Sequence, residues 1–154
     1  MLNEILDLME SHELTLADLY SGFAKRFTAT AGFWNAIAIE EKAHADVIKT
    51  LRAEIIHKTF SLKSSFTLEG IRNSLAFMDK YKNEAKSDTL SELKAVIIAL
   101  NMERATLESN VFDIFKPLTT HALDELKHLR AHTIEHIKRI EDERAALLKT
   151  GIQS

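Results

Sequence analysis

A chain of 154 residues is long enough to fold around one hydrophobic core without covalent staples, and residues 1–154 read as one domain. The absence of cysteine excludes disulfides, thiolate zinc sites, iron–sulfur clusters and cysteine nucleophiles, while four glycines and one proline leave little turn chemistry and point to long helices. Net charge is −3 with the two signs interspersed, so no electrostatic footprint for nucleic acid is present.

The opening run from Met1 to Glu10 is acidic and amphipathic, unlike the basic-then-apolar plan of a secretory signal. The longest apolar run, Ala95 to Leu100, is too short to span a bilayer, and the expectation is a soluble, cytoplasmic protein with no membrane partner. A first helix is predicted from about Leu2 to Phe27, where Leu6, Met9, Leu16, Tyr20, Phe23 and Phe27 recur at three- and four-residue spacing. It ends in a break of small residues, Thr28 to Gly32. A second helix follows to about Lys58, with Trp34, Ile37, Ile48, Leu51 and Ile55 on one stripe. Residues 59–88 hold a shorter helical pattern in Ile71, Leu75 and Met78, with Phe66 and Phe77 as further apolar residues. The third long helix is predicted over Thr89 to Phe115, opening on Thr89-Leu90-Ser91-Glu92, a capping-box pattern that satisfies two orphan amides. The last begins after Lys116-Pro117, with Thr119 or Thr120 as its cap, and runs to about Leu148.

Short connections make the first and second helices, and the third and fourth, antiparallel neighbours. The long middle stretch then carries the chain back along an up-down-down-up arrangement. The expected fold is an all-α four-helix bundle with a long crossover that contains a short extra helix.

Chemistry shows where polar residues interrupt the apolar stripes. The first helix has Glu13 between Met9 and Leu16, and the second has Glu41 and His44 between Ile37 and Ile48. On the third, Glu103 and Asn110 interrupt Leu93, Val96, Leu100, Leu107 and Ile114. The fourth carries Glu125 and His128. Charged residues are almost never fully buried without a partner. In Glu41/His44 and Glu125/His128 the three-residue spacing advances about 300° around a helix and about 4.5 Å along it, so carboxylate and imidazole project from one face. Glu54-Ile55-Ile56-His57 has the same spacing, but Glu54 lies roughly 140° around the helix from Glu41 and reads as surface. Glu125 sits only at the edge of a stripe through Ala122, Leu126, Leu129, Thr133 and Ile140, with His128 further round.

Each of these residues also has a bland reading. Glu13 alone suits a salt-bridged surface position, and Glu41 with His44 suits a buried hydrogen-bonded pair. Tyr20 is core or a donor to a ligand carboxylate, and Trp34 is packing. His12, His57 and His136 read as surface or rim, Glu40 and Glu108 as solvated, and Asn110 as a buried polar contact. His121 and His132 flank the Glu125/His128 pair as candidate extra ligands or supports. The six residues taken together favour a buried metal site.

These segments resemble the rubrerythrin branch of the ferritin-like superfamily. The likeness lies in Glu13 with Tyr20, Phe23 and Ala24, and in the run from Trp34 to His44 with its Glu40-Glu41-Lys42-Ala43-His44. It continues in Ala99-Leu100-Asn101-Met102-Glu103 and in Glu125-Leu126-Lys127-His128, so it covers all four long helices. Four carboxylates and two imidazoles are the ligand inventory of ferritin-like di-metal bundles. The resemblance implies two iron ions, for which manganese or zinc could substitute, bridged by Glu41 and Glu125. Glu13 and Glu103 would be terminal ligands, and His44 and His128 would serve one ion each. It further implies a non-haem di-iron oxidoreductase acting on peroxide or dioxygen, or oxidising ferrous iron, in a homodimer. Thr106 stands where such proteins usually carry a second glutamate on this helix, leaving a set closer to bacterioferritin-type sites. No four-cysteine rubredoxin domain accompanies the bundle, so peroxidase activity would need an external electron donor. A metal-handling protein without turnover and a metal-free helical interaction module are the alternatives.

Overall fold

The computed structural model describes residues 2–55, 60–62, 68–109, 111–113, 115–117 and 119–151. His57, Phe66, Asn110 and Ile114 lie outside the described residues, as does the end predicted for the second helix. Five α-helices lie among the described residues: α1 (Leu2–Arg26), α2 (Ala31–Ile55), α3 (Leu68–Ala85), α4 (Glu92–Glu108) and α5 (Thr120–Lys149). None of them is long and apolar enough to cross a membrane.

Local chemistry sets the helix ends. Glu4 lies in the first turn of α1 and Lys25 and Arg26 in its last, each favourable to the helix dipole. Arg26 also donates to the carbonyls of Leu90 (3.0 Å) and Asp88 (2.5 Å), which ties the end of α1 to the start of α4. The cap of α4 is Ser91, whose Oγ accepts from the Lys94 amide at 3.2 Å, not Thr89 as the capping-box pattern predicts. Thr89 instead belongs to a turn in which its amide donates to Ser87 Oγ at 3.3 Å. Thr119 caps α5 through the Ala122 amide, and Gly151, with a φ of 67°, takes the left-handed conformation just past the helix end.

The third long helix is shorter than predicted. It stops at Glu108, where Ser109 Oγ donates to the Thr106 carbonyl at 2.7 Å. The chain then forms a 3-10 turn at Val111–Asp113 and a short strand, β2 (Phe115–Pro117). This strand pairs antiparallel with β1 (Phe60–Leu62) from the crossover, Ser61 opposite Lys116. The apolar spacing continues past Glu108 because Val111, Phe112 and Phe115 are buried, though not as helix.

The bundle interior has two apolar layers. One contains Ile5, Leu6, Met9, Ile48, Leu51, Ile71, Leu126 and Leu129. The other contains Leu16, Tyr20, Phe23, Trp34, Ile37, Ala99, Leu100 and Ile140. Following the chain from layer to layer gives its course: α1 rises from the first to the second, α2 and α4 descend, and α5 rises again. The crossover helix α3 carries the chain back, with Ile71 in the first layer and Met78 in the second. The architecture is the expected all-α bundle with a helical crossover.

Candidate metal centre

Between the two apolar layers lies one polar layer. Along α1 it falls between Met9 and Leu16, along α2 between Ala38 and Ile48, and along α5 between Leu129 and Ile140. Its ionisable members are Glu13, Glu41, His44, Glu103 and His136, with His12 beside Glu13, each at most 5% exposed. Four helices contribute to it. Helical phase puts these side chains inward, since each occupies a register position otherwise held by an apolar residue.

Glu41 is the centre of the arrangement. Its Oε2 lies 2.9 Å from His44 Nδ1, and its Oε1 lies 2.8 Å from His136 Nδ1. Glu13 Oε2 approaches His44 Nδ1 at 3.6 Å, and Glu103 Oε1 approaches His136 Nδ1 at 3.6 Å. Two trios result, Glu13–Glu41–His44 and Glu41–Glu103–His136, and in each the potential ligand atoms lie within 4.8 Å of one another. They share Glu41. Each trio offers two carboxylates and one imidazole, a mixed oxygen and nitrogen set suited to iron, manganese or zinc.

The outer faces of the site are also organised. Tyr20 donates its hydroxyl proton to Glu103 Oε1 at 2.7 Å, as a tyrosine supporting a ligand carboxylate would. His136 Nε2 lies 2.7 Å from Glu40 Oε2, and Arg139 holds Glu40 by contacts of 3.0 and 2.8 Å. Such an imidazole backed by a carboxylate is the usual support of a metal-binding histidine. His44 Nε2 meets His132 Nδ1 at 3.0 Å instead. On the α1 side, His12 Nδ1 faces Glu13 Oε1 at 3.7 Å, and its Nε2 reaches Thr106 Oγ1 at 3.2 Å and Ser74 Oγ at 3.3 Å. Thr106 has no carboxylate to offer; its hydroxyl donates to the Met102 carbonyl at 3.0 Å.

Electrostatics make the metal-free layer tense. Burial pushes the Glu41 carboxyl up to about 8, and the neighbouring Glu103 carboxylate adds to that rise. Burial alone would depress both imidazoles, but Glu13 and Glu41 raise His44 to about 9, and Glu103 and Glu41 raise His136 to about 11. Burial likewise opposes ionisation of Glu13, and the hydrogen bonds of His12 and His44 overcome it, holding that carboxyl well below its usual range. Tyr20 is driven up by burial and by the Glu103 and Glu41 charges, so it remains a proton donor.

The contact between Glu41 Oε1 and His136 Nδ1 is short, yet both atoms are buried without a hydrogen-bond partner. The two form a close ion pair at 2.8 Å that leaves the hydrogen-bonding capacity of both atoms unused. A buried carboxylate oxygen and a buried ring nitrogen without hydrogen bonds in one polar layer are a costly arrangement for a bare core. A cation shared with Glu103 would satisfy both, and the residues present fit one.

Of the residues expected from the sequence, the structure brings Glu13, Glu41, His44 and Glu103 together. It leaves Glu125 and His128 outside. Glu125 is half-buried, 3.7 Å from His121 Nε2, and His128 is exposed. Their place on α5 is taken by His136, which the sequence reading put at the surface and which is 1% exposed. The reason is helical phase. His136 lies in register with Leu129, Thr133 and Ile140, whereas Glu125 and His128 fall to one side of that stripe. His12 is likewise buried rather than at the rim, and Glu40 is half-buried and paired rather than solvated. Glu54 pairs with His121 at 3.0 Å, away from the polar layer. Comparison with known protein families, curated proteins and solved structures finds no match to this chain.

Proposed function

We propose that the polar layer holds a carboxylate-bridged pair of divalent cations, with iron the best chemical fit, and that the chain is a non-haem di-iron oxidoreductase reducing peroxide or oxidising ferrous iron. This reading agrees with the resemblance to the rubrerythrin branch of ferritin-like proteins. The observation that carries it is the shared carboxylate: each oxygen of Glu41 faces its own histidine, at 2.8 and 2.9 Å. Glu13 and His44 would complete one half of the site, and Glu103 and His136 the other.

Iron, if held by these residues, would supply the redox chemistry. The chain's own residues set the conditions. The apolar layers above and below exclude water, Glu40 with Arg139 fixes the His136 ring, and Tyr20 fixes Glu103 through its hydroxyl proton. Loading must displace the protons that Glu41, His44 and His136 retain, so cation binding releases protons. Turnover with peroxide requires an external electron donor, since the chain has no cysteine with which to hold an iron–sulfur relay.

Anaerobic titration of metal-free protein with Fe2+, followed by peroxide, tests the reading. The expected result is two Fe2+ per chain, one for each trio, and near-ultraviolet ferric absorption after oxidation. A chain that takes up no iron ends the proposal. A second reading, metal handling without turnover, is favoured by the small ligand set, to which the buried Thr106 and Thr133 add no carboxylate, their hydroxyls donating to the Met102 and Leu129 carbonyls. Steady-state peroxide consumption with a surrogate reductant separates the two.

A further inference from the structure

The polar layer is sealed above and below, so a cation must reach it from the side. Among the described residues, a small cavity and a larger cleft border it. One, near His12, Glu13, Ser74 and Thr106, has a volume of about 20 Å³, room for roughly one water. The other is a cleft of about 290 Å³ between α2 and α5, bordered by Glu40, His44, Glu125, His128 and His132. A hydrated divalent cation, which carries several waters, fits the cleft and not the small cavity.

The cleft has ligands along its wall. Glu125, His128 and His132 sit at i, i+3 and i+7 on α5 and so line one face of that helix. His128 and His132 are exposed, and Glu125 is half-buried. His44 separates the cleft from the interior: Nδ1 faces Glu41 and Glu13, while Nε2 meets His132 Nδ1 at 3.0 Å on the cleft side. Beyond it the imidazole of His136 stacks on that of His44, with ring centroids 5.4 Å apart. Three imidazoles therefore run from solvent to the shared carboxylate.

Resting on the metal-centre reading above, we propose that divalent cations load through this cleft, meeting Glu125, His128 and His132 one after another along its wall and passing inward at His44. Imidazole and carboxylate groups on the wall replace the cation's waters stepwise, so dehydration does not have to occur all at once. The species carried is a borderline divalent cation such as Fe2+, Co2+ or Zn2+, which imidazole donors favour over the hard cations. The three residues act in transit and are not part of the final ligand set.

Stopped-flow mixing of metal-free full-length protein with Co2+, read by quenching of the single tryptophan, Trp34, measures loading directly. Its ring lies 5.7 Å from that of Tyr20, which bonds to Glu103. The test variant is Glu125→Gln/His128→Ala/His132→Asn; asparagine keeps a polar atom near the place of His132 Nδ1 for His44. The substitutions lie on the solvent side of α5, and circular dichroism checks that the fold is retained. The second-order loading constant is expected to fall about tenfold or more, the scale on which local charge and ligand capture alter on-rates. The end point by equilibrium dialysis should stay at two Co2+ per chain. Loading at the wild-type rate would overturn the route, and a lowered end point would overturn it by making these residues permanent ligands. Wild-type protein that binds no Co2+ would instead overturn the metal-centre reading, and this inference with it.

Discussion

At the residue scale, the polar layer depends on a histidine held from outside and a carboxylate shared inside. Glu40 keeps the His136 ring oriented from its Nε2 side, with Arg139 fixing Glu40 in turn. Glu40→Gln should therefore lower cation affinity about 10- to 100-fold without removing a ligand, as loss of an outer support typically does. Isothermal titration with Co2+ measures it; unchanged affinity would show that His136 does not bind metal. Four of the site residues were legible in the sequence, because Glu13, Glu41, His44 and Glu103 each interrupt an apolar stripe. His136 was not, although the same test picks it out: it fills the register position between Thr133 and Ile140. Glu125 and His128 match the Glu-x-x-His spacing of Glu41 and His44 but not their helical phase. Three residues before His136 stands Thr133, buried and bonded to the Leu129 carbonyl at 3.1 Å, so α5 gives the layer an imidazole without the companion carboxylate.

At the element scale, α1 and α2 carry the aromatic packing that holds the site's upper lid. Trp34 lies 5.0 Å from Phe23 and 5.7 Å from Tyr20, and all three are fully buried. Trp34→Ala should cost about 3–5 kcal/mol of stability, the usual range for removing a large core aromatic. Because Tyr20 rests against that ring, the same change should weaken cation binding. Chemical denaturation and a parallel metal titration check the two effects. The start of α4 gives a sharper contrast: Ser91→Ala should cost about 1 kcal/mol, and Thr89→Ala much less, since Ser91 is the residue that caps. Helix existence, order and the crossover could be read from periodicity. The early end of α4 could not, because buried Val111, Phe112 and Phe115 prolong the apolar pattern after the backbone has turned into a 3-10 turn and a strand.

At the scale of the whole molecule, protonation and metal binding set stability in opposite directions of pH. The carboxylates around His44 and His136 hold both imidazole protons above the ordinary histidine range, and burial beside Glu103 raises the Glu41 carboxyl, so the cluster as a whole retains protons. Through neutral and mildly alkaline pH the folded metal-free chain thus holds protons that the unfolded chain has released, and its stability falls as pH rises. Glu13, held below its ordinary value, works the other way: its contribution is present above the usual carboxylate range and is lost on acidification. Metal-free protein should therefore melt at a lower temperature at about pH 9 than at about pH 6, while the increase produced by saturating metal grows over that interval. Differential scanning calorimetry with and without Co2+ measures both trends. A metal-free melting temperature that rises toward alkaline pH would contradict the proton inventory of the polar layer.

Anomalous diffraction at the iron edge, on crystals grown anaerobically with Fe2+, tests the central claim most directly. The account predicts two peaks inside the bundle, one among Glu13, Glu41 and His44 and one among Glu41, Glu103 and His136. An interior without peaks, or iron held instead by Glu125 and His128 in the cleft, would contradict it.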